Sequence, residues 1–130
     1  MAFGTASVLT SAGKAIVTNL LIGSGTVPKW LGLGVGATGA DRTAAVGDTA
    51  LSSQTGSRVG TNNPTRTTTT VANDTWNLSQ TFTASGAVAI DEAGIFDAST
   101  SGNMFFSATF PVVNLLSGDS ITVSVAIQYT

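Results

Sequence analysis

Cysteine and histidine are both absent from the 130-residue sequence. Without them the chain can form neither a disulfide nor a metal site built on thiolate or imidazole ligands. Catalytic triads that use histidine as the general base are excluded as well. Most familiar catalytic centres are therefore ruled out before any motif is considered.

Charged residues are scarce. They make up 9% of the chain, against about 25% in an ordinary soluble domain. Five Lys and Arg residues face seven Asp and Glu residues, which gives a net charge of −2 and no basic cluster for a phosphate backbone. We therefore expect no nucleic-acid partner. Weak self-repulsion is typical of a chain that associates with copies of itself or with other proteins.

Long apolar runs are missing too, since no stretch approaches the ~20 residues of a membrane-spanning helix. The first positive charge is Lys14, so a secretory signal with a basic start is not expected. We expect a soluble, unprocessed chain with no membrane partner. At this length, residues 1–130 fit one domain of roughly 100–150 residues.

The first periodic segment covers residues 7–22. Its apolar residues recur at spacings of three and four, as on one face of a helix: Leu9, Ala12, Ile16 and Leu20. Thr10 or Ser11 is suited to cap the start, and Gly23 follows where a left-handed residue ends many helices. One short N-terminal helix is predicted.

The period then changes to two in the segment Trp30-Leu-Gly-Leu-Gly-Val-Gly36. Leucine and valine share one strand face, and the other face is nearly bare because it carries glycines. A row of strand glycines indicates that a backbone or a flat ring lies close by, and the predicted helix is our candidate neighbour.

Residues 37–73 lose large apolar side chains and end in a threonine-rich run. Threonine favours extended backbone but brings little apolar surface. We expect a loop followed by a polar edge strand over residues 64–71.

The second half is β-rich. Alternating apolar residues predict strands over residues 75–84, 87–96, 104–110 and 121–129, with Gln80 the exception on an apolar face. A bulge is expected between Ile90 and Ile95, near Gly94, and Pro111 should end or bulge its strand. Antiparallel strands with one wet face each predict a mainly β fold, a β-sandwich or jelly-roll-like domain with one short N-terminal helix.

Two motifs match catalytic or cofactor patterns without their context. Residues Gly34-Val-Gly-Ala-Thr-Gly39 fit the dinucleotide fingerprint, but neither a helix nor a βαβ unit follows. Ser11 and Lys14 have the spacing of serine acyl enzymes, but the companion motifs of those enzymes are absent. We therefore predict no catalytic residue and no cofactor.

The acidic residues predict structure more readily than catalysis. Asp91 and Glu92 are adjacent, and successive strand residues point to opposite faces, so the two carboxylates should not converge. Four other aspartates lie in turn-like contexts where they can bond their own backbone: Asp41, Asp48, Asp97 and Asp119. A weak Ca²⁺ site built from two of these remains an alternative.

Five segments occur in a recognisable order: Trp30-Leu-Gly-Leu-Gly-Val-Gly36, Val46-Gly-Asp-Thr-Ala-Leu51, Arg58 before the threonine run, Glu92-Ala-Gly-Ile-Phe-Asp97 and Leu116-Ser-Gly-Asp-Ser-Ile-Thr-Val123. From about residue 10 to residue 129, this order resembles a family of small bacteriophage virion proteins. The resemblance implies a non-enzymatic structural role, either as a capsid decoration (cement) subunit or as a protein of the tail-fibre type.

These observations lead to one functional hypothesis. We expect a homo-oligomer, with a trimer as the working assumption, that is made in the bacterial cytoplasm and binds the major capsid protein on the virion surface. The self-association interface is predicted at Thr65, Arg66, Thr67, Thr68, Thr69 and Thr70. Lys29, Arg42 and Arg58 are expected as solvated surface charges, with pairing across subunits as the alternative.

Three other functions remain open, and one of them is a free-standing lectin or adhesin, since all-β folds host many functions. A tail or fibre-associated domain that binds a host receptor or glycan would present exposed aromatic residues, such as Trp76 or Tyr129, in a groove. A small hydrolase without histidine would need two of its carboxylates in one cleft, drawn from Asp91, Glu92, Asp97 and Asp119.

Overall fold

The computed structural model describes residues 6–39 and 42–130, and Asp41 lies outside these ranges. Within them the chain forms eight strands and one helix. In order these are β1 Ala6–Leu9, α1 Ser11–Leu21, β2 Trp30–Gly34, β3 Gln54–Val59, β4 Thr65–Thr67, β5 Thr75–Thr83, β6 Val88–Phe96, β7 Met104–Leu115 and β8 Ser120–Gln128.

The strands form two antiparallel sheets. The larger sheet has the order β1-β7-β6-β2-β3, and the smaller one has the order β4-β5-β8. Side chains from both sheets share one apolar core, which includes Leu31, Ile95, Leu78, Phe82 and Val125. The predicted mainly β fold, a β-sandwich with one short N-terminal helix, is confirmed.

Helix α1 begins at Ser11, whereas the spacing of apolar residues predicted a start near residue 7. The difference arises because residues 6–9 form a strand that pairs with β7. Thr10 caps the helix by accepting a 2.9 Å hydrogen bond from the Gly13 amide, and its hydroxyl also donates to the Met104 carbonyl. Gly13 lies against the Phe105 carbonyl, where a Cβ would collide. Gly23 has φ +77°, as predicted for a helix end.

The glycine-bearing face of β2 does not contact the helix, so that prediction is wrong. A Cβ on Gly32 would lie 3.2 Å from the Phe96 ring. A Cβ on Gly34 would collide with the Glu92 side chain. Because β2 pairs with β6, it is the large side chains of β6 that occupy the space left by the glycines. The expectation of a flat ring at this face is met by Phe96.

A covering segment, residues 37–39 and 42–53, binds side chains on the outer side of the larger sheet. Arg42 reaches both Glu92 and Ser107, and the Ala44 amide donates to the Thr109 hydroxyl over 3.3 Å. Strand β3 follows, in a region that we expected to be loop. Its polar sequence and the left-handed Gly56 hide the alternation that would otherwise mark a strand.

The pairing of β6 with β7 has register breaks at two places, and at both the extra residues lie in β7. One lies between Ile90 and Glu92, opposite the stretch of β7 that contains Pro111, and the other lies between Ile95 and Phe96. The prediction that Pro111 would bulge its strand agrees with the first break. The slip predicted between Ile90 and Ile95 agrees with the first break, although Gly94 itself pairs regularly with Ser107.

Candidate assembly surface

The predicted interface residues divide between a strand and a loop. Thr65, Arg66 and Thr67 form β4, which is fully exposed and lies at the edge of the smaller sheet. The prediction of one continuous strand through residue 71 is wrong, because residues 68–73 leave the sheet and turn back toward β5.

Asp74 causes this turn. Its carboxylate accepts hydrogen bonds from the amides of Thr69 at 2.8 Å, Thr70 at 2.9 Å and Val71 at 2.9 Å. These backbone donors hold the pKa of the Asp74 carboxyl well below its usual range. Three amides that an edge strand would have offered to a partner are therefore satisfied within the chain.

The loop is also tied to the smaller sheet by side chains. The Gln128 amide group donates to the Thr70 hydroxyl at 2.9 Å and to the Asp74 carboxylate at 3.0 Å. The Thr69 and Thr75 hydroxyls lie 2.6 Å apart. The predicted interface residues are therefore exposed but held in place, which lowers the entropy cost of ordering them in a complex.

The outer face of the smaller sheet is a ladder of hydroxyl groups. Thr81 pairs with Thr122 at 2.8 Å and Thr83 pairs with Ser120 at 2.8 Å across β5 and β8. All four side chains are exposed and uncharged. This face presents hydrogen-bonding groups without the desolvation cost of charges.

An apolar groove opens where the C-terminal half of α1 meets the end of the sandwich. It has a volume of about 490 Å³ and is lined by Val17, Leu20, Leu21, Pro28, Trp76, Phe105 and Tyr129. Leu21 is 82% exposed and Tyr129 is 52% exposed, and the neighbouring Ile22 is 75% exposed. The Trp76 ring packs on Phe105 with 5.2 Å between centroids, so the floor of the groove is held by the core.

The groove borders the predicted interface. Trp76, which lines the groove, pairs directly with Arg66 of β4 across the sheet. The Tyr129 amide donates to the Asp74 carbonyl at 2.9 Å. We call β4, residues 68–74 and the apolar groove together the assembly surface. Two elements far apart in sequence, the helix end and the threonine run, thus form one continuous region.

The sequence contained a signal for the groove that the helix pattern did not use. Leu20, Leu21 and Ile22 are consecutive, and a helix turns by about 100° per residue, so three neighbours cannot all face one core. An apolar run of this kind at a helix end marks an exposed apolar surface. The strand alternation over residues 121–129 predicts an inward Tyr129 side chain, and only the receptor-binding alternative placed Tyr129 in a groove.

Asp91 and Glu92 are buried and bind different groups. Asp91 accepts from the amides of Ala37 at 3.1 Å and Thr38 at 2.7 Å. Glu92 forms a 2.7 Å ion pair with Arg42 and accepts from the Ser53 amide at 3.2 Å. Both carboxylates bind groups of the covering segment but share no hydrogen-bond partner, which agrees with the expectation that they would not converge.

The aspartates predicted in turns bond to nearby backbone where the structure describes them. Asp48 accepts from the Ala45 amide at 2.9 Å, Asp97 from the Asn103 amide at 2.7 Å and Asp119 from the Leu116 amide at 2.8 Å. The prediction for Asp41 lies outside the described residues. Within residues 6–39 and 42–130, no three acidic residues form a group suited to hold a metal ion.

The expectation of solvated surface charge is wrong for two of the three cations. Arg42 bridges Asp48 and Glu92, at 2.7 Å each. The Arg58 guanidinium lies 3.4 Å from the Phe96 ring centroid and donates to the Ala98 carbonyl at 2.9 Å. Burial lowers the pKa of Arg58, and this effect is partly opposed by Asp97. Arg42 and Arg58 therefore bind groups within the fold and are not solvated surface charges.

Known proteins give no information about the function of this chain. Comparison with known protein families, characterised proteins and solved structures finds no match for this chain. Among the described residues, no helix has the length and apolar character needed to cross a membrane. Function is therefore argued from the assembly surface and the chemistry of its residues.

Proposed function

We propose that this chain is a non-enzymatic structural subunit of a bacteriophage particle. In this proposal it is a capsid decoration subunit, localised to the virion surface, that self-associates as a trimer and binds the major capsid protein. The proposal combines the family resemblance of the sequence with the assembly surface.

The observation that carries the proposal is the exposed apolar groove. Leu21 and Tyr129 are each more than half exposed and line the same concavity, and Ile22, which follows Leu21 in the chain, is also more than half exposed. Contiguous exposed apolar surface of this kind marks sites of protein interaction. Burial of a leucine-sized side chain at such a site contributes about 1.5–3 kcal/mol.

The distribution of charge supports the same function. The one described ion-pair network, Arg42 with Asp48 and Glu92, is placed on the larger sheet and not on the assembly surface. Arg66 is the cation of β4, and the remaining exposed groups of that strand are threonines. Apart from Arg66 and the hydrogen-bonded Asp74 carboxylate, a partner that docks here displaces water from hydroxyl and apolar groups, which costs far less than burial of unpaired charge.

A decoration subunit stabilises a shell by linkage. A protein that binds the assembled lattice more tightly than the free shell subunits shifts the equilibrium toward assembly. No reactive group is needed for this role. Among the described residues, every buried side-chain nitrogen or oxygen already has a hydrogen-bond partner, so Asp91 and Glu92 are committed to the fold.

Two measurements test the proposal. Quantitative mass spectrometry of purified particles should find this chain at hundreds of copies, as a shell component requires, and a handful of copies would contradict capsid decoration. Light scattering of the recombinant protein should give the mass of a trimer. A monomer would remove the oligomer from the proposal.

A matched pair of variants locates the contact. Leu21→Glu adds a charge to the groove and should abolish binding to heads stripped of this chain. Thr81→Glu adds the same charge to the hydroxyl ladder, away from the groove, and should bind normally. Equal binding by both variants would show that the groove is not the contact.

The tail or fibre alternative has one observation in its favour. Trp76 and Tyr129 line the same groove, as a receptor-binding or glycan-binding site would require. The rest of the lining is aliphatic or aromatic and lacks side-chain partners for sugar hydroxyls. Strong selective binding on a glycan array, lost in Trp76→Ala, would favour this alternative over capsid decoration.

A further inference from the structure

Strand β8 forms an unprotected edge of the smaller sheet. Among residues 6–39 and 42–130, the strand order β4-β5-β8 leaves one side of β8 without a strand partner. Its nine residues, Ser-Ile-Thr-Val-Ser-Val-Ala-Ile-Gln, include no charge and no proline, and they pair with β5 without a register break. Edge strands are normally protected by lysine, proline, bulges or short length, and β8 has none of these devices.

A slot runs along this edge. Four successive residues of β8, from Val123 to Ala126, line it. Because successive strand residues point to opposite faces, lining by four in a row means that the slot follows the strand's backbone edge. The volume of the slot is about 320 Å³.

The opposite wall of the slot is apolar sheet surface. Phe106, Ala108 and Phe110 alternate along β7 and face the slot, with Ser7 of β1 beside them. All three β7 side chains are only half-buried. The larger sheet continues past β6 with β7 and β1, whereas the smaller sheet stops at β8. In the part of the chain that the structure describes, the inner face of β7 therefore lacks an opposing strand.

We propose that this slot binds an extended segment of a neighbouring protein chain by β-strand addition to β8. The segment supplies backbone hydrogen bonds to the free edge of β8 and side chains at every second position to Phe106 and Phe110. The nine lining residues include no charged side chain, so the segment that fits is uncharged and apolar at alternate positions.

The β8 strand of a second copy cannot serve as this segment. If two β8 strands paired antiparallel, the two copies would be related by a twofold axis perpendicular to the sheet that they share. The larger sheets of both copies would then lie on the same side of that shared sheet. Each larger sheet extends past β8 with β7 and β1, and the two sheets would occupy the same space. The slot therefore requires a strand without a sheet attached beneath it, such as an arm or a loop.

The site is separate from the assembly surface, because the slot and the apolar groove share no lining residue. The inference therefore does not depend on the proposed function. Failure of capsid binding leaves it intact, and failure of strand addition leaves the groove intact.

A synthetic peptide tests the site. The probe is a nine-residue peptide with the sequence of β8, carrying a fluorophore and a two-lysine tail for solubility, titrated with the full-length chain by fluorescence anisotropy. The peptide has the required alternation and no attached sheet. Saturable binding is expected. Two further peptides carry N-methyl groups on alternate amides, one on the odd-numbered amides and the other on the even-numbered amides. One of these two should bind at least about tenfold more weakly than the unmethylated peptide, because its methyl groups block the amides that bond to β8.

Variants of the protein complete the test. Ala108→Arg fills the slot with a charged side chain and should weaken peptide binding at least about tenfold. Folding of each variant is checked by circular dichroism. If Ala108→Arg does not fold, Ser7→Arg serves as the second slot variant, because Ser7 is exposed. Thr81→Arg on the hydroxyl ladder should bind like the unaltered chain. The proposal is overturned if the unaltered chain does not bind the peptide. It is also overturned if both methylated peptides bind as tightly as the unmethylated one, or if the slot variants bind the peptide like the unaltered chain.

Discussion

The two sheets of the sandwich use the same uncharged composition for different purposes. In the larger sheet, residues 90–96 of β6 are all buried, because the core lies on one side and the covering segment contacts the other. In the smaller sheet, β5 and β8 alternate buried or half-buried residues with exposed hydroxyls. One sheet is enclosed by its own chain, and the other keeps a face in solvent.

This difference shows where a charge-poor chain places its few ions. Arg42, Asp48 and Glu92 are used to fasten the covering segment to the larger sheet. The smaller sheet receives threonine and serine on its outer face, and its neighbouring surfaces carry the exposed apolar residues. The larger sheet is therefore fastened by ion pairs, whereas the smaller sheet keeps an uncharged outer face in solvent.

The largest expected effect is in the larger sheet. Glu92→Ala should lower the free energy of unfolding by about 3 kcal/mol, because it leaves the largely buried Arg42 without its innermost partner. The measurement is urea denaturation at neutral pH. The matched change Thr122→Ala in the smaller sheet should stay within about 0.5 kcal/mol of the unaltered chain. Similar losses in both variants would erase the contrast between the sheets.

A smaller loss is expected at the one polar side chain on the inner face of β5. Gln80 donates to the carbonyls of Lys29 and Asn62 at 2.8 Å each and accepts from the Asn62 amide at 3.0 Å. Gln80→Leu leaves these backbone groups unsatisfied and should cost about 2 kcal/mol. If the unfolding midpoint of Gln80→Leu is unchanged, these bonds do not hold the sheets together.

The helix cap should have a still smaller effect. Thr10→Ala removes the acceptor for the Gly13 amide and should lower the free energy of unfolding by about 1 kcal/mol. Thr10→Ser keeps the hydroxyl and should recover most of this loss. A serine variant as unstable as the alanine variant would assign the role to the threonine methyl group instead.

The smallest effect is expected at Asp74 and depends on pH. Its pKa is lower in the folded chain than in the unfolded chain, so its contribution to stability is present at neutral pH. The contribution is lost as the pH falls below the ordinary carboxyl value of about 3.9 toward the lower folded value. Asp74→Asn should therefore be less stable than the unaltered chain at about pH 6, and the difference should shrink at about pH 3. A difference that is constant with pH would contradict the role of the carboxylate.

Local patterns in the sequence were sufficient for most of the smaller sheet. Alternation identified β5 and β8, because each has one face in solvent and its apolar residues therefore occur at every second position. The apolar side of β2 was identified in the same way. The helix cap at Thr10 and the left-handed Gly23 also follow from short-range chemistry.

Tertiary structure alone decided the features that depend on distant partners. Residues 6–9 form a strand because β7 offers a pairing edge, although their spacing fits a helix. Asp74 turns the threonine run away from the sheet, and the end of β8 brings Tyr129 to the helix. The sequence by itself determined which segments have an apolar face, because periodicity is local. Which apolar surfaces stay uncovered depends on how many strands each sheet receives, and that is settled only when the chain folds.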